Sequence, residues 1–285
     1  MKNINVQLYS LGQDNTDPLP VSFEKLAAMG YAGVEFAGSN YGGLSAAQLR
    51  AELDKNGLVA TSSHVSMDNM AADMALVAEV GCKAIICPMF SFANGEEAKV
   101  YGEMLNRVGA EAKKNGMVAG YHNHTVEFFV DGGKTLLQHL MDNTDPDLVA
   151  LELDCGWASC AGADPVATIN NFAGRVVAIH VKENNGVMGP DTPISMYAEN
   201  PMPFELDADG KPIFTPEFLA YMAERQKLNA PTGQGIVDWK AVRVAADAQA
   251  KRGDILYVVE REASYGDKTR LECLAEDAKW IHDNM

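Results

Sequence analysis

The run LELDCGWASCAGADPVATINNFAGRVVAIHVKEN, Leu151 to Asn184, decides how the rest of the chain is read. Two short β-rich apolar runs, VALEL and RVVAIHV, carry a metal-binding type of side chain at their ends, Asp154 on the first and His180 on the second. A helix-length segment lies between them. Asp164 followed by Pro165 marks a helix start, because the carboxylate accepts orphan N–H groups of the first turn and proline has no N–H to leave unpaired. The stretch predicts strand, helix, strand, with one polar group leaving each strand at its C-terminal end. In parallel α/β folds that is the end where ligands sit.

Working outward, the same alternation recurs along the whole chain. Strands are expected at INVQLYS from Ile4, AGVEFA from Ala32, LVATSSH from Leu58, KAIICP from Lys83, MVAGYHNH from Met117, LVALELD from Leu148, RVVAIHV from Arg175 and ILYVVER from Ile255. Helices are expected from near Pro18 to Gly30, from the Ser45 cap to Gly57, from about Asp68 to Val80 and from Glu96 to Asn115. Each of these is followed or closed by a glycine, the residue that accepts the left-handed conformation past a helix end. Eight such units predict an α/β fold of the closed (β/α)8 TIM-barrel type, a single domain over residues 1–285. An open doubly wound sheet would carry a glycine-rich phosphate loop after its first strand; here that loop reads SLGQDNTD, with no such pattern. The regular spacing fails only after the seventh strand. The Pro-, Gly- and Met-rich insertion, about residues 187–230, is expected to cover the C-terminal mouth, with a short helix from Pro216 to about Lys227.

Composition narrows the function classes. An apolar content of 47% supplies a full core, yet no run has the length of a membrane span and the N-terminus lacks a signal-peptide profile, so a cytoplasmic protein is expected. Five cysteines without a CxxC pair point to buried free thiols. With 39 acidic against 23 basic residues the formal charge is -16, a surface that repels phosphate backbones and anionic membranes. Nucleic-acid and membrane partners are therefore not expected, and a small molecule is.

Strand alternation brings the polar residues to one place. If His180 faces the barrel interior, Ala178 does too; Asp154 shares its face with Glu152, Glu260 with Val258, and Glu35 with Gly33. His64, His122 and His124 fall at predicted strand ends, with Glu127 just beyond, whereas His139 and His282 lie on helices. A single inward His or Glu serves structure as readily as catalysis, and Glu152 is expected to support rather than to react. Several carboxylates and imidazoles converging at one mouth repel one another unless a cation or a substrate organises them.

The segments GYAGVEFAG, GYHNHTVEF, LELDCGWASCAGADP, AIHVKE, PTGQGIVDW and YVVERE resemble the sugar phosphate isomerase/epimerase group of the xylose-isomerase-like TIM barrels. The resemblance implies one divalent metal ion held by Glu127, Asp154, His180 and Glu260, with His122 or His124 as the alternative to Glu127. It implies Mn²⁺ first, with Mg²⁺, Co²⁺ or Zn²⁺ as substitutes for a set of three carboxylates and one imidazole. Glu127, Glu260 and His124 would carry the chemistry. His64, His122, Trp157, Lys182, Glu35 and Glu262 would contact substrate. The implied reaction is metal-dependent isomerisation or epimerisation of a sugar or keto-sugar, by proton abstraction beside a carbonyl through an enediolate. The alternative is a lyase cleaving 3-keto-O- or C-glycosides by β-elimination, with an apolar lid (Met188, Met196, Met202, Phe204, Phe214, Phe218) over the aglycone and a small partner subunit or a homo-oligomer. A non-catalytic binding role is the remote reading. The abasic-site endonucleases of the superfamily need a multinuclear zinc site and a basic face, neither of which this acidic sequence offers.

Overall fold

The computed structural model describes residues 3–12, 15–199, 205–206 and 212–285. Eight parallel strands close into a barrel: β1 (Ile4–Gln7), β2 (Gly33–Ala37), β3 (Val59–His64), β4 (Ala84–Cys87), β5 (Val118–His122), β6 (Val149–Asp154), β7 (Val176–Val181) and β8 (Leu256–Val259). The ring is shut by β8 against β1, with Ile4 opposite Tyr257 and Val6 opposite Val259. All eight expected strands are present, each trimmed by one or a few residues at its ends.

Alternation along each strand sorts the two sides. Leu151 and Leu153 on β6 and Ile179 and Val181 on β7 enter the apolar shell under the helices, while Ala150, Glu152 and Asp154, and Ala178 and His180, are buried on the other face, inside the barrel. Small and large residues mesh there: a Cβ on Gly120 would lie 2.4 Å from Ile86 Cδ1, so the glycine is what lets the isoleucine fill the axis.

The helices are α1 (Leu19–Ala28), α2 (Ala46–Lys55), α3 (Met70–Val80), α4 (Gly95–Lys114), α5 (Leu136–Asp142), α6 (Cys155–Cys160), α7 (Pro165–Asn171), α8 (Pro216–Lys227), α9 (Trp239–Gln249) and α10 (Arg270–Asn284). Capping boxes start α2 (Ser45 with Gln48), α5 (Thr135 with Gln138) and α10 (Thr269 with Glu272). Gly81 ends α3 at φ 110°, the left-handed conformation its position requires.

The opening stretch departs from its reading in one respect. Asp164 caps α7 as expected, accepting from Val166 N at 2.8 Å. A separate short helix, α6, precedes it and begins directly at the end of β6, because one Asp154 oxygen accepts from Trp157 N at 2.6 Å and turns the chain at once.

In the insertion, α8 occupies the expected residues and contains no buried residue. An antiparallel pair, Glu205–Leu206 with Pro212–Ile213, was not anticipated. The segment is tied down over the mouth: Met188 N donates to Cys160 O (2.9 Å), Thr125 Oγ1 to Asp191 (2.5 Å), and Ser195 Oγ and Met196 N to Glu97 on α4 (2.7 and 2.9 Å). Of the proposed apolar lid, Phe214 stacks on Phe218 with centroids 5.3 Å apart; Met202 and Phe204 lie outside the described residues. All five cysteines are free and buried. Among the described residues no helix is long and apolar enough to cross a membrane.

Candidate metal centre and active site

At the C-terminal end of the barrel the polar side chains form two layers that share His122 and His180. The inner layer is Glu35, His64, His122, Glu152 and His180. Glu152 Oε2 accepts contacts from His64 Nε2 (2.6 Å), His122 Nδ1 (3.2 Å) and His180 Nε2 (3.1 Å). Glu35 reaches across the barrel from β2 to His180 Nε2 on β7 at 2.8 Å, and is itself held by Gln7 Nε2 (2.7 Å) and Ser62 Oγ (2.5 Å). The His64 and His180 rings stack 5.3 Å apart and the His122 ring stands edge-on to His180 at 4.5 Å.

The outer layer is His122, Asp154, His180 and Glu260. His180 Nδ1 faces Glu260 Oε2 at 3.4 Å and Asp154 Oδ2 at 3.9 Å. None of these three buried atoms has a hydrogen-bond partner of proper geometry. An imidazole nitrogen and two carboxylate oxygens left unpaired out of water are costly, and together with His122 they form a donor set that a divalent ion satisfies. The residues present therefore fit the expected metal. Asn123 fixes the geometry by clasping the Asp154 backbone, accepting from its N–H at 3.0 Å and donating to its carbonyl at 3.2 Å.

The electrostatics follow from burial and neighbours. Burial, and next the Glu260 charge, push Asp154 well above the usual carboxylate range. Burial opposes ionisation of Glu260 as well, but the contact with His180 overrides it and holds Glu260 well below that range. Burial likewise works against a charged His180, and the Glu152 and Glu35 carboxylates reverse it, raising His180 well above an ordinary imidazole. His122 is pushed down to about 4 by burial and by the His180 charge. His124, depressed far below the ordinary value by burial and by His122, is a neutral imidazole with a buried Nδ1 that has no partner.

The structure brings Asp154, His180 and Glu260 together as expected by position, and departs from the expected set at the fourth. Glu127 lies on the turn Val126–Phe128, where its two oxygens accept from Tyr121 OH (2.6 Å) and His124 N (2.8 Å). With its oxygens so engaged, Glu127 is not among the clustered outer-layer atoms, where His122 stands with Asp154, His180 and Glu260. Burial lifts Glu127 to about 7.

His64 and Glu35, read as substrate contacts, sit in the inner hydrogen-bonded layer. Trp157 lies beside His124 with ring centroids 5.8 Å apart and keeps an unpartnered indole N–H. Lys182 Nζ is 3.3 Å from Glu262 and 4.4 Å from the centre of the Trp157 ring. Glu152, expected inward below Asp154 in a supporting role, is the hub of the inner layer. One contributor was not anticipated. Arg225 comes from α8 and lays its guanidinium 4.1 Å from the Trp157 ring centre; no periodicity in the insertion could reveal that contact, since it depends on how the loop folds back.

A family model described as xylose isomerase-like TIM barrel matches residues 23–283. Among curated proteins, inosose dehydratase of Clostridium beijerinckii is 34% identical over 100 residues, 34% of this chain and 32% of that protein, so the match spans about a third of its length. Among solved structures, a sugar phosphate isomerase/epimerase from Parabacteroides distasonis superposes with a TM-score of 0.74 at 23% identity, covering 99% of this chain and 94% of that one. The IOLI protein with a binding zinc atom superposes with a TM-score of 0.68 at 14% identity, covering 99% and 97%. Barrel, mouth and family match agree: the chain belongs to the xylose isomerase-like TIM barrel family.

Proposed function

We propose that the protein is a divalent-metal-dependent enzyme that removes a proton beside a carbonyl of a sugar or keto-sugar, and isomerises or epimerises it. The observation that supports this most is the convergence of His180 Nδ1, Asp154 Oδ2 and Glu260 Oε2, buried and unpaired, next to a neutral His124. His122, Asp154, His180 and Glu260 would hold the ion. When bound, it supplies positive charge that acidifies the C–H beside the carbonyl and stabilises the enediolate that follows. The two imidazoles make this set softer than three carboxylates and one imidazole, which puts Zn²⁺ beside Mn²⁺ and Co²⁺ as the fitting metals.

The side chains divide the remaining work. His124, uncharged and with a free ring nitrogen, can take a proton at that atom and return it. Glu260, ionised at the rim, faces the reacting carbons as the second proton-handling group. Lys182 orients a substrate oxygen, and the Trp157 ring closes the side of the site against water. His64, Glu35 and Glu152 keep His180 aimed, the usual arrangement in which a ligating imidazole gives its other nitrogen to a carboxylate.

A second reading, β-elimination, is favoured by the relative named inosose dehydratase. Dehydration and 3-keto-glycoside cleavage begin with the same proton abstraction and differ in the group that leaves. Incubating Mn²⁺-loaded protein in D₂O with ketoses, an inosose and a 3-keto-glucoside separates the outcomes by NMR. Deuterium beside the carbonyl with an epimer or isomer supports the first reading, and loss of water or of an aglycone supports the second. Protein that exchanges no C–H and eliminates nothing from any of them sinks both. A cytoplasmic location and a homo-oligomer or small partner subunit complete the proposal.

A further inference from the structure

Above the outer layer a cavity is walled by Trp157, Lys182 and Glu262 from the barrel and roofed by Arg225 from α8. Two cations, Lys182 and Arg225, line it beside the Trp157 ring. Trp157, 6% exposed, carries an indole N–H with no partner. The Arg225 guanidinium rests on the Trp157 and Tyr221 rings, 4.1 and 5.4 Å from their centres. Its carboxylate partner Asp191 stands off at 3.7 Å, already accepting from Thr125 Oγ1 and Tyr221 OH. Lys182 meets the partly exposed Glu262 at 3.3 Å and the Trp157 ring at 4.4 Å.

Two of the acids nearby are taken up by other donors. Glu183 is consumed by Gly233 N (2.9 Å), Val237 N (3.3 Å) and Trp239 Nε1 (2.7 Å), and Asp191 by the bonds just named. The cavity thus brings two cations together on an otherwise acidic molecule, and the Arg225 guanidinium stands 3.7 Å from Asp191. A planar guanidinium held flat by an aromatic ring presents two parallel N–H groups, the geometry that matches a carboxylate in two-point fashion.

We infer that this cavity is a subsite for a carboxylate on the substrate, held by Arg225 and Lys182 beside the Trp157 ring, so that the substrate is an acidic sugar or sugar-like polyol. This rests on the proposed reading of the site below it as a sugar or keto-sugar centre. The insertion then acts as a specificity element, since it supplies Arg225 and no barrel strand does.

The test is calorimetric binding of glucose, glucuronate and glucose 6-phosphate to the full-length Mn²⁺-loaded protein, its Arg225→Gln and its Arg225→Lys variants. Glucuronate is expected to bind at least about tenfold more tightly than glucose, the size of a charge-assisted hydrogen bond. Arg225→Gln should erase that difference, Arg225→Lys should restore part of it, and Mn²⁺ stoichiometry should stay the same in all three proteins. Equal affinity for glucose and glucuronate, no binding of glucuronate, or a preference that survives in Arg225→Gln overturns the inference. Tighter binding of glucose 6-phosphate than of glucuronate overturns the carboxylate assignment. Metal-dependent C–H exchange on neutral ketoses without any acid preference removes this inference alone; acid preference without C–H exchange or elimination removes the proposed reaction alone.

Discussion

Asp154 uses its two oxygens differently: Oδ1 starts α6 by accepting from Trp157 N, and Oδ2 faces His180 and Glu260 with no partner. Asp154→Asn retains an acceptor for the cap and loses the charge, so the fold should persist while metal affinity falls by more than the roughly 10- to 100-fold typical of supporting residues. Glu127→Gln, in contrast, should keep full metal stoichiometry, because both Glu127 oxygens are turned to Tyr121 and His124; equilibrium dialysis of the two variants distinguishes the sets, and loss of metal in Glu127→Gln would restore Glu127 as a ligand. His124→Gln should retain metal and lose turnover by about 10²- to 10⁴-fold, the usual range for a proton-transferring group, as read from the C–H exchange rate. The convergence of Asp154, His180 and Glu260 was legible because each lies at or one residue short of the end of an expected strand, where alternation fixes the face. The choice between Glu127 and His122 was not, because it turns on a short turn, Val126–Phe128, whose direction depends on Tyr121 packed outside the barrel.

Elements hold the mouth through close contacts that alternation cannot reveal. Gly156, on the first turn of α6, passes so near β7 that a Cβ there would lie 2.4 Å from Lys182 O. Gly156→Ala should cost about 1–3 kcal/mol by overpacking, measured as a shift in the urea midpoint, and an unchanged midpoint would mean that α6 is free to move. At the other side of the ring, Arg261 at the end of β8 pairs with Asp277 on α10, Nε to Oδ2 at 2.6 Å and Nη2 to Oδ1 at 2.8 Å, both side chains buried. Thr232 N and Oγ1 add bonds to the same carboxylate at 3.1 and 2.9 Å. Asp277→Ala strands a buried guanidinium and should destabilise by about 3–5 kcal/mol, again read in urea; a smaller loss than Gly156→Ala would show that the pair is solvated. The start of α8 was expected at Pro216, where the structure shows Thr215 capping the helix by accepting from Phe218 N. The sequence did not place Arg225 against Trp157, because that contact joins segments 68 positions apart with no strand ladder to register them.

At the scale of the molecule, eight βα units with an uneven last connection were enough to read the closed barrel and the side on which the site lies, because strand direction and alternation are local properties of the sequence. What local pattern could not supply is the division of the mouth into an inner layer whose imidazoles converge on Glu152 Oε2 and an outer layer around Asp154 whose facing atoms are unpaired. Since the outer donors are present only in the folded chain, Mn²⁺ at about 100 times its dissociation constant should stabilise the protein by about 2.7 kcal/mol, seen as a thermal midpoint several degrees higher that a chelator reverses. The most direct test of the account is a diffraction experiment at the manganese absorption edge on crystals of the Mn²⁺-loaded protein. One anomalous peak is predicted, in contact with Asp154 Oδ2, His180 Nδ1, Glu260 Oε2 and a His122 nitrogen. A peak on Glu127, a peak within the inner layer of His64 and Glu152, or no peak at the mouth would contradict it.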